Sequence, residues 1–197
     1  MAIKRALVIL ISLGFIAGIY FPVSAKKTEL TEHDYIIGEP DRKREFPIEA
    51  FKKAKELKNE KNLKEAESVL LENLEAARIA GKGTTRLGKY LLRLNNVLFA
   101  LGKDEKAIKY GDIGVKLIAK DYKDAGELSG WLVNGQSHLA MSFQRQGKLK
   151  EALKMFNAAI ETANQAPEGK VSSVWLEFLK GEQEKLDSKL NGNKTKK

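Results

Sequence analysis

The string Gly83-Thr84-Thr85-Arg86-Leu87-Gly88-Lys89 has the G-x-x-x-x-G-K spacing with which backbone N–H groups cradle a phosphate. The chemistry fails one residue later. Tyr90 stands where a Ser or Thr hydroxyl would have to reach magnesium, and a helical pattern, not a buried strand, runs up to Ala80 ahead of the loop. The string reads better as a loop between helices followed by a helix start. Two histidines, His33 and His138, are too few for a metal cluster or a histidine-centred catalytic pair within one chain. The absence of cysteine removes disulfides, thiolate ligands and nucleophilic thiols together. Carboxylates such as Glu65 near Lys61 and Glu151 near Lys154 stand at helical spacing from lysines, as solvated ion pairs worth a few tenths of a kcal/mol do. These residues point away from catalysis, cofactors and metals, and toward a binding surface.

The elements that must carry such a surface are helical. Three of the four prolines (Pro22, Pro40 and Pro47) precede residue 48, which leaves 48–166 free of the strongest helix breaker. Within that span an amphipathic pattern breaks three times at a short turn and resumes toward an alanine: Lys61-Asn62-Leu63-Lys64-Glu65-Ala66, Gly102-Lys103-Asp104-Glu105-Lys106-Ala107 and Gly147-Lys148-Leu149-Lys150-Glu151-Ala152. The alanines are 41 and 45 residues apart, a period of stacked helical hairpins. Hairpins are expected over residues 48–80, 84–120 and 126–165, with Gly102 and Gly147 as left-handed caps. Connections this short make the paired helices antiparallel.

A further amphipathic segment, 171–190, has Trp175, Phe178, Leu179, Leu186 and Leu190 on one broad face. It is expected to cap the stack, burying Trp175 and Phe178 for about 2 to 3 kcal/mol each, although Gly181 weakens its middle by about 1 kcal/mol. Residues 191–197 form a basic tail. Residues 26–47 read as a polar linker in which Tyr35-Ile36-Ile37 could form a short docking strand, next to the turn-forming Gly38-Glu39-Pro40-Asp41.

At the N-terminus, Lys4 and Arg5 precede the apolar run Ala6 to Phe21, then Pro22 and the small-residue triplet Val23-Ser24-Ala25. This is the plan of a secretory signal peptide, residues 1–25, cleaved after Ala25. The run of 16 residues is short of the roughly 20 that cross a hydrocarbon core, so an uncleaved inner-membrane anchor over residues 6–21 is the alternative. The expected location is the periplasm or outside the cell, and the signal plan and composition point to a bacterial host. Cleavage leaves 33 basic residues against 26 acidic ones, a formal charge of +7 that favours acidic partners. Nucleic acid is not expected, because no aromatic-basic interleaving accompanies the charge.

In the third hairpin Leu139-Ala140, Phe143, Gly147, Ala152, Phe156 and Ala159 reproduce the signature spacing of the tetratricopeptide repeat, and the chain resembles that family over roughly residues 47–165. The second hairpin offers Leu94, Leu98, Gly102 and Ala107, but has Asn95 and Gly111 where a small and a bulky residue are usual. The first keeps Ala54, Leu57, Ala66 and Leu70. The spacings exceed the family's period of about 34 residues, as in its extended repeats. The resemblance implies an all-α, right-handed α-solenoid with a C-terminal capping helix, whose concave groove is lined by the first helix of each hairpin. On that basis the groove residues are Lys55, Lys89, Arg93, Asn96, Asn134, Ser137, Met141 and Gln144. Lys89 and Arg93 stand one turn apart with Asn96 beyond, which resembles half of the clamp by which some members grip a C-terminal carboxylate. Phe51 occupies the place of the other half's lysine. The implied function is a non-catalytic adaptor or scaffold of the cell envelope that binds an acidic or C-terminal segment of another protein. The alternatives are an accessory subunit that positions an envelope enzyme or assembly complex, and a self-assembling homo-oligomer.

Overall fold

The fold comes from a computed structural model that describes residues 30–122 and 126–192. The expected signal peptide and residues 193–197 of the basic tail lie outside the described residues. Among the described residues the chain is all-helical, with nine helices and no strand.

Six of these helices pair as α2 (Ile48–Asn59) with α3 (Leu63–Glu72), α5 (Thr85–Ala100) with α6 (Asp104–Lys120), and α7 (Gly126–Arg145) with α8 (Leu149–Gln165). Neighbouring pairs touch through α2 and α3 on α5, and through α5 and α6 on α7. The three turns share one backbone shape. Asn62 N–H donates to Leu57 O at 2.8 Å, Lys103 N–H to Leu98 O at 2.9 Å and Lys148 N–H to Phe143 O at 2.9 Å. The residue before each donor is left-handed: Lys61 at φ 63°, Gly102 at 72° and Gly147 at 73°. A six-to-one bond around a left-handed residue satisfies carbonyls that the ending helix would leave bare.

Small residues set how closely the helices approach. Ala54, Ala66, Ala107, Ala140 and Ala152 are fully buried. A Cβ on Gly88 would lie 2.8 Å from Ile118 Cγ1, and one on Gly114 would lie 3.1 Å from Gly88 O, so α5 and α6 cross where neither side has a side chain. The second glycine of the phosphate-loop-like string is thus a packing residue inside a helix. Tyr90, after it, is fully buried and donates its hydroxyl to Leu70 O at 2.8 Å. The unusual pair in the second hairpin also has a packing reason. Asn95, buried, donates Nδ2 to Ala107 O at 2.8 Å and occupies the space a side chain at Gly111 would need.

Expectations for the first hairpin and the segment before it change. The returning helix of the first hairpin is not continuous, because the Asn73 side chain donates to Val69 O at 2.9 Å and the chain turns there into α4 (Leu74–Gly81). Residues 30–47 are no free linker, and the segment at Tyr35 is helical, not a strand. The Asp34 carboxylate accepts from Thr31 N at 2.8 Å and Thr31 Oγ1 at 2.9 Å, which starts α1 (Glu32–Ile36). Tyr35 is buried, and its carbonyl accepts from Gly83 N–H at 3.0 Å. Arg78 reaches Asp34 O at 3.2 Å, and Lys116 of α6 pairs with Glu32 at 2.6 Å.

Helix α9 (Ser173–Gly192) packs on α8 and runs unbroken through Gly181. Leu179 and Leu186 are buried there. Trp175 and Phe178 stack on each other with ring centres 4.9 Å apart, but Phe178 is 41% exposed, which corrects the expectation that both rings are buried. Trp175 packs against the apolar cluster of the third pair and α9, and Phe178 covers it from the solvent side. Among the described residues no helix is long and apolar enough to cross a membrane.

Candidate functional site

The first helices of the three pairs face one another around a cleft of about 350 Å³. Lys58 comes from the last turn of α2. Leu92, Arg93 and Asn96 come from α5, and Trp131, Asn134 and His138 from α7, with Gly130 and Gly135 contributing bare backbone. The spacing explains the grouping, since residues three, four and seven apart share a helix face, as Trp131, Asn134 and His138 do.

Aromatic rings set the position of Arg93. Its guanidinium carbon is 4.5 Å from the centre of the Phe51 ring and 5.3 Å from that of Trp131. Phe51 in turn stacks on Tyr90, with centres 6.2 Å apart, and lies 6.0 Å from Trp131. A guanidinium against ring faces gains about 0.5 to 2 kcal/mol, more as water is excluded. Arg93 Nε is buried with no hydrogen-bond partner among the described residues.

The electrostatics are one-sided. No acidic side chain lines the cleft, and none pairs with Lys58 or Arg93 among the described residues. Burial lowers the affinity of Arg93 for its proton. Burial first, and then the Arg93 charge, lower that of Lys58. His138 is pushed down to about 4, mainly by burial and then by the charges of Lys58 and Arg145, so its imidazole is neutral at pH 7. It stacks on Phe99 with ring centres 5.0 Å apart. Arg145 is compensated: it donates to Phe99 O at 3.0 Å and to Asp104 at 3.3 Å. Among the described residues Lys58 and Arg93 have no such partner. Cations held together without an acid raise the energy of the folded chain, an arrangement typical of binding sites.

Of the eight residues expected in a groove, Arg93, Asn96 and Asn134 line this cleft together. Lys89 is half-buried, one turn before Arg93 and outside the lining, and Lys55 is exposed on α2. Met141 packs into the apolar cluster of the third pair and α9. Gln144 donates to Glu182 of α9 at 3.3 Å. Ser137 is fully buried and donates its hydroxyl to Val133 O at 2.5 Å, which corrects its placement: it faces the core.

Sequence reasoning missed Lys58, Trp131 and His138. The signal was there in the spacing, since Lys58 follows Phe51 by two turns, and Trp131 and His138 flank Asn134 by one turn each. A second hollow, of about 380 Å³, lies at the start of α5, between the segment from Ile36 to Arg42 and residues Lys82, Gly83, Thr84 and Lys120. Thr84 caps α5 there, its Oγ1 accepting from Leu87 N–H at 3.4 Å. Among the described residues no group of three or more His, Asp or Glu side chains is arranged to hold a metal ion.

Comparison with family models, with curated proteins and with solved structures finds no match for this chain.

Proposed function

We propose that the chain is a non-catalytic adaptor or scaffold of the cell envelope, a right-handed stack of tetratricopeptide-like hairpins capped by α9, which holds an acidic or C-terminal segment of another protein in the Lys58–Arg93–His138 cleft. One observation carries the reading: the first helix of each pair contributes to one cleft that holds uncompensated positive charge, amide donors and an indole. The common geometry of the three turns supports the repeat. The pattern of residues 1–25 supports export.

The test is affinity capture from an envelope extract with residues 26–197, beside a Lys58→Gln, Arg93→Gln variant of equal stability. The expected result is one or more proteins retained by the first and lost by the second. Equal recovery by both removes the cleft from the account.

A second reading, assembly of identical copies through α9, is favoured by Val174, 79% exposed, beside Phe178. Light scattering decides it, because a strict monomer across concentrations excludes self-assembly.

A further inference from the structure

His138 differs from the other polar groups of the cleft in that it can change its charge when the cleft is filled. It stands on α7 between Asn134, one turn earlier, and Phe99, whose ring covers one of its faces. The charged groups that act on it are Lys58 from α2 and Arg145 from its own helix, with Arg93 of α5 lining the same cleft. All three are cations. Arg145 is already matched by Asp104, so the unmatched positive charge lies with Lys58 and Arg93. Arg93 Nε, buried and without an acceptor, adds a donor for which the described residues provide no partner.

An anion drawn in by Lys58 and Arg93 would offset the two charges and set an acceptor near the imidazole. Both changes favour the imidazolium form.

Resting on the reading of this cleft as the partner site, we propose that it takes an oxyanion and a proton together, the proton passing from solvent to the His138 imidazole. A carboxylate of the partner segment is the oxyanion, from an acidic side chain or a chain end. By linkage, its affinity rises as the pH falls, approaching tenfold per pH unit between the midpoints of the filled and the empty cleft. The interaction is then strongest in acidic surroundings and fades toward neutrality.

The test follows the imidazole signals by NMR between pH 3.5 and 7.5, a range that brackets the midpoint of the empty cleft, with and without sulfate, which stays essentially dianionic throughout. The chain has two histidines, and His33, exposed on α1, is the internal reference. With saturating sulfate, the His138 midpoint is expected to rise by one unit or more. A His138→Gln variant is expected to bind sulfate with no pH dependence. Two further arms separate the sources of the carboxylate: an amidated peptide with two glutamates, and an all-alanine peptide with a free C-terminus. Movement of the His138 midpoint by either supports the proposal.

Sulfate binding seen at Asn96 and Asn134 with an unmoved His138 midpoint overturns the proton linkage but leaves the cleft as an anion site. No effect of sulfate or of either peptide at those residues overturns both.

Discussion

The guanidinium of Arg93 lies 4.5 Å from the centre of the Phe51 ring. Phe51 stands in α2 at the position where the resemblance drawn from the sequence implies a lysine of a carboxylate grip. The ring instead holds the Arg93 cation against the cleft wall, and Lys58, two turns further along α2, supplies positive charge to the same cleft. A residue that looked like a lost ligand is a positioning residue.

Replacing Phe51 by Ala removes a half-buried ring that touches Tyr90, Trp131 and Arg93. Loss of about 2 to 3 kcal/mol of stability is expected, measured by urea denaturation. Phe51→Leu, which keeps most of the volume, should lose less than half of that yet still free the guanidinium. Equal stability of Phe51→Ala and the wild type would contradict the packing described.

Asn95 and Gly111 are a reciprocal pair, since a Cβ at Gly111 would come 2.5 Å from Asn95 Nδ2. Gly111→Ala alone should destabilise by about 1 to 3 kcal/mol through overpacking. Asn95→Ala alone should lose a buried hydrogen bond and leave a hole, for a similar loss. The double substitution gives the new methyl group at 111 the space that the Asn95 side chain leaves. Its cost should fall short of the sum by about 1 kcal/mol or more in a double-mutant cycle. Strict additivity would mean that the two side chains do not compete for space.

Lys61 holds the left-handed position that glycine fills in the two later turns. Left-handed backbone costs a residue with a Cβ about 1 to 2 kcal/mol, whereas glycine loses about 0.5 to 1 kcal/mol through its freer unfolded chain. Lys61→Gly should therefore raise the thermal midpoint by a few degrees, corresponding to about 0.5 to 1 kcal/mol. A lower midpoint would show that the turn does not need this backbone.

His138 makes stability depend on pH. Its folded value, about 4, is below the ordinary 6.5, so the unfolded chain binds the proton more readily. The neutral-form stability is fully present above about pH 6.5. It is lost as the pH falls from there toward 4, by at most about 1.4 kcal/mol per unit. In salt without oxyanions, His138→Gln should flatten denaturation midpoints between pH 6.5 and 4.5 relative to wild type. Parallel curves for the two proteins would contradict the burial assigned to the imidazole.

Much of the helix plan was legible from periodicity because each helix buries one regular stripe, and Gly102 and Gly147 mark two of the three turns. Lys61 hides the third turn, because a lysine gives no sign of left-handed backbone. The break at Asn73 was hidden as well: a side chain that bonds back to Val69 O looks in sequence like any polar helix residue. Docking of residues 30–47 depends on Tyr35 finding a site formed by segments distant in the chain. At the site, Arg93, Asn96 and Asn134 followed from the resemblance to the tetratricopeptide repeat, carried over residue by residue. The same carry-over misplaced Ser137, because one residue of rotation, about 100°, separates an exposed face from a buried one. Lys58 and His138 gain their significance only from the groups across the cleft, which no single helix reveals.

The central claim is that acidic segments enter the cleft beside Trp131. A Trp175→Phe background leaves Trp131 as the reporting indole, and its fluorescence is titrated with an acidic peptide bearing a free C-terminal carboxylate at low salt. The account predicts a saturable change in emission, with affinity weakened tenfold or more by Lys58→Gln together with Arg93→Gln, since each charge-assisted contact contributes about 1.5 to 3 kcal/mol. An emission that does not respond, or one that responds equally in the double variant, contradicts it.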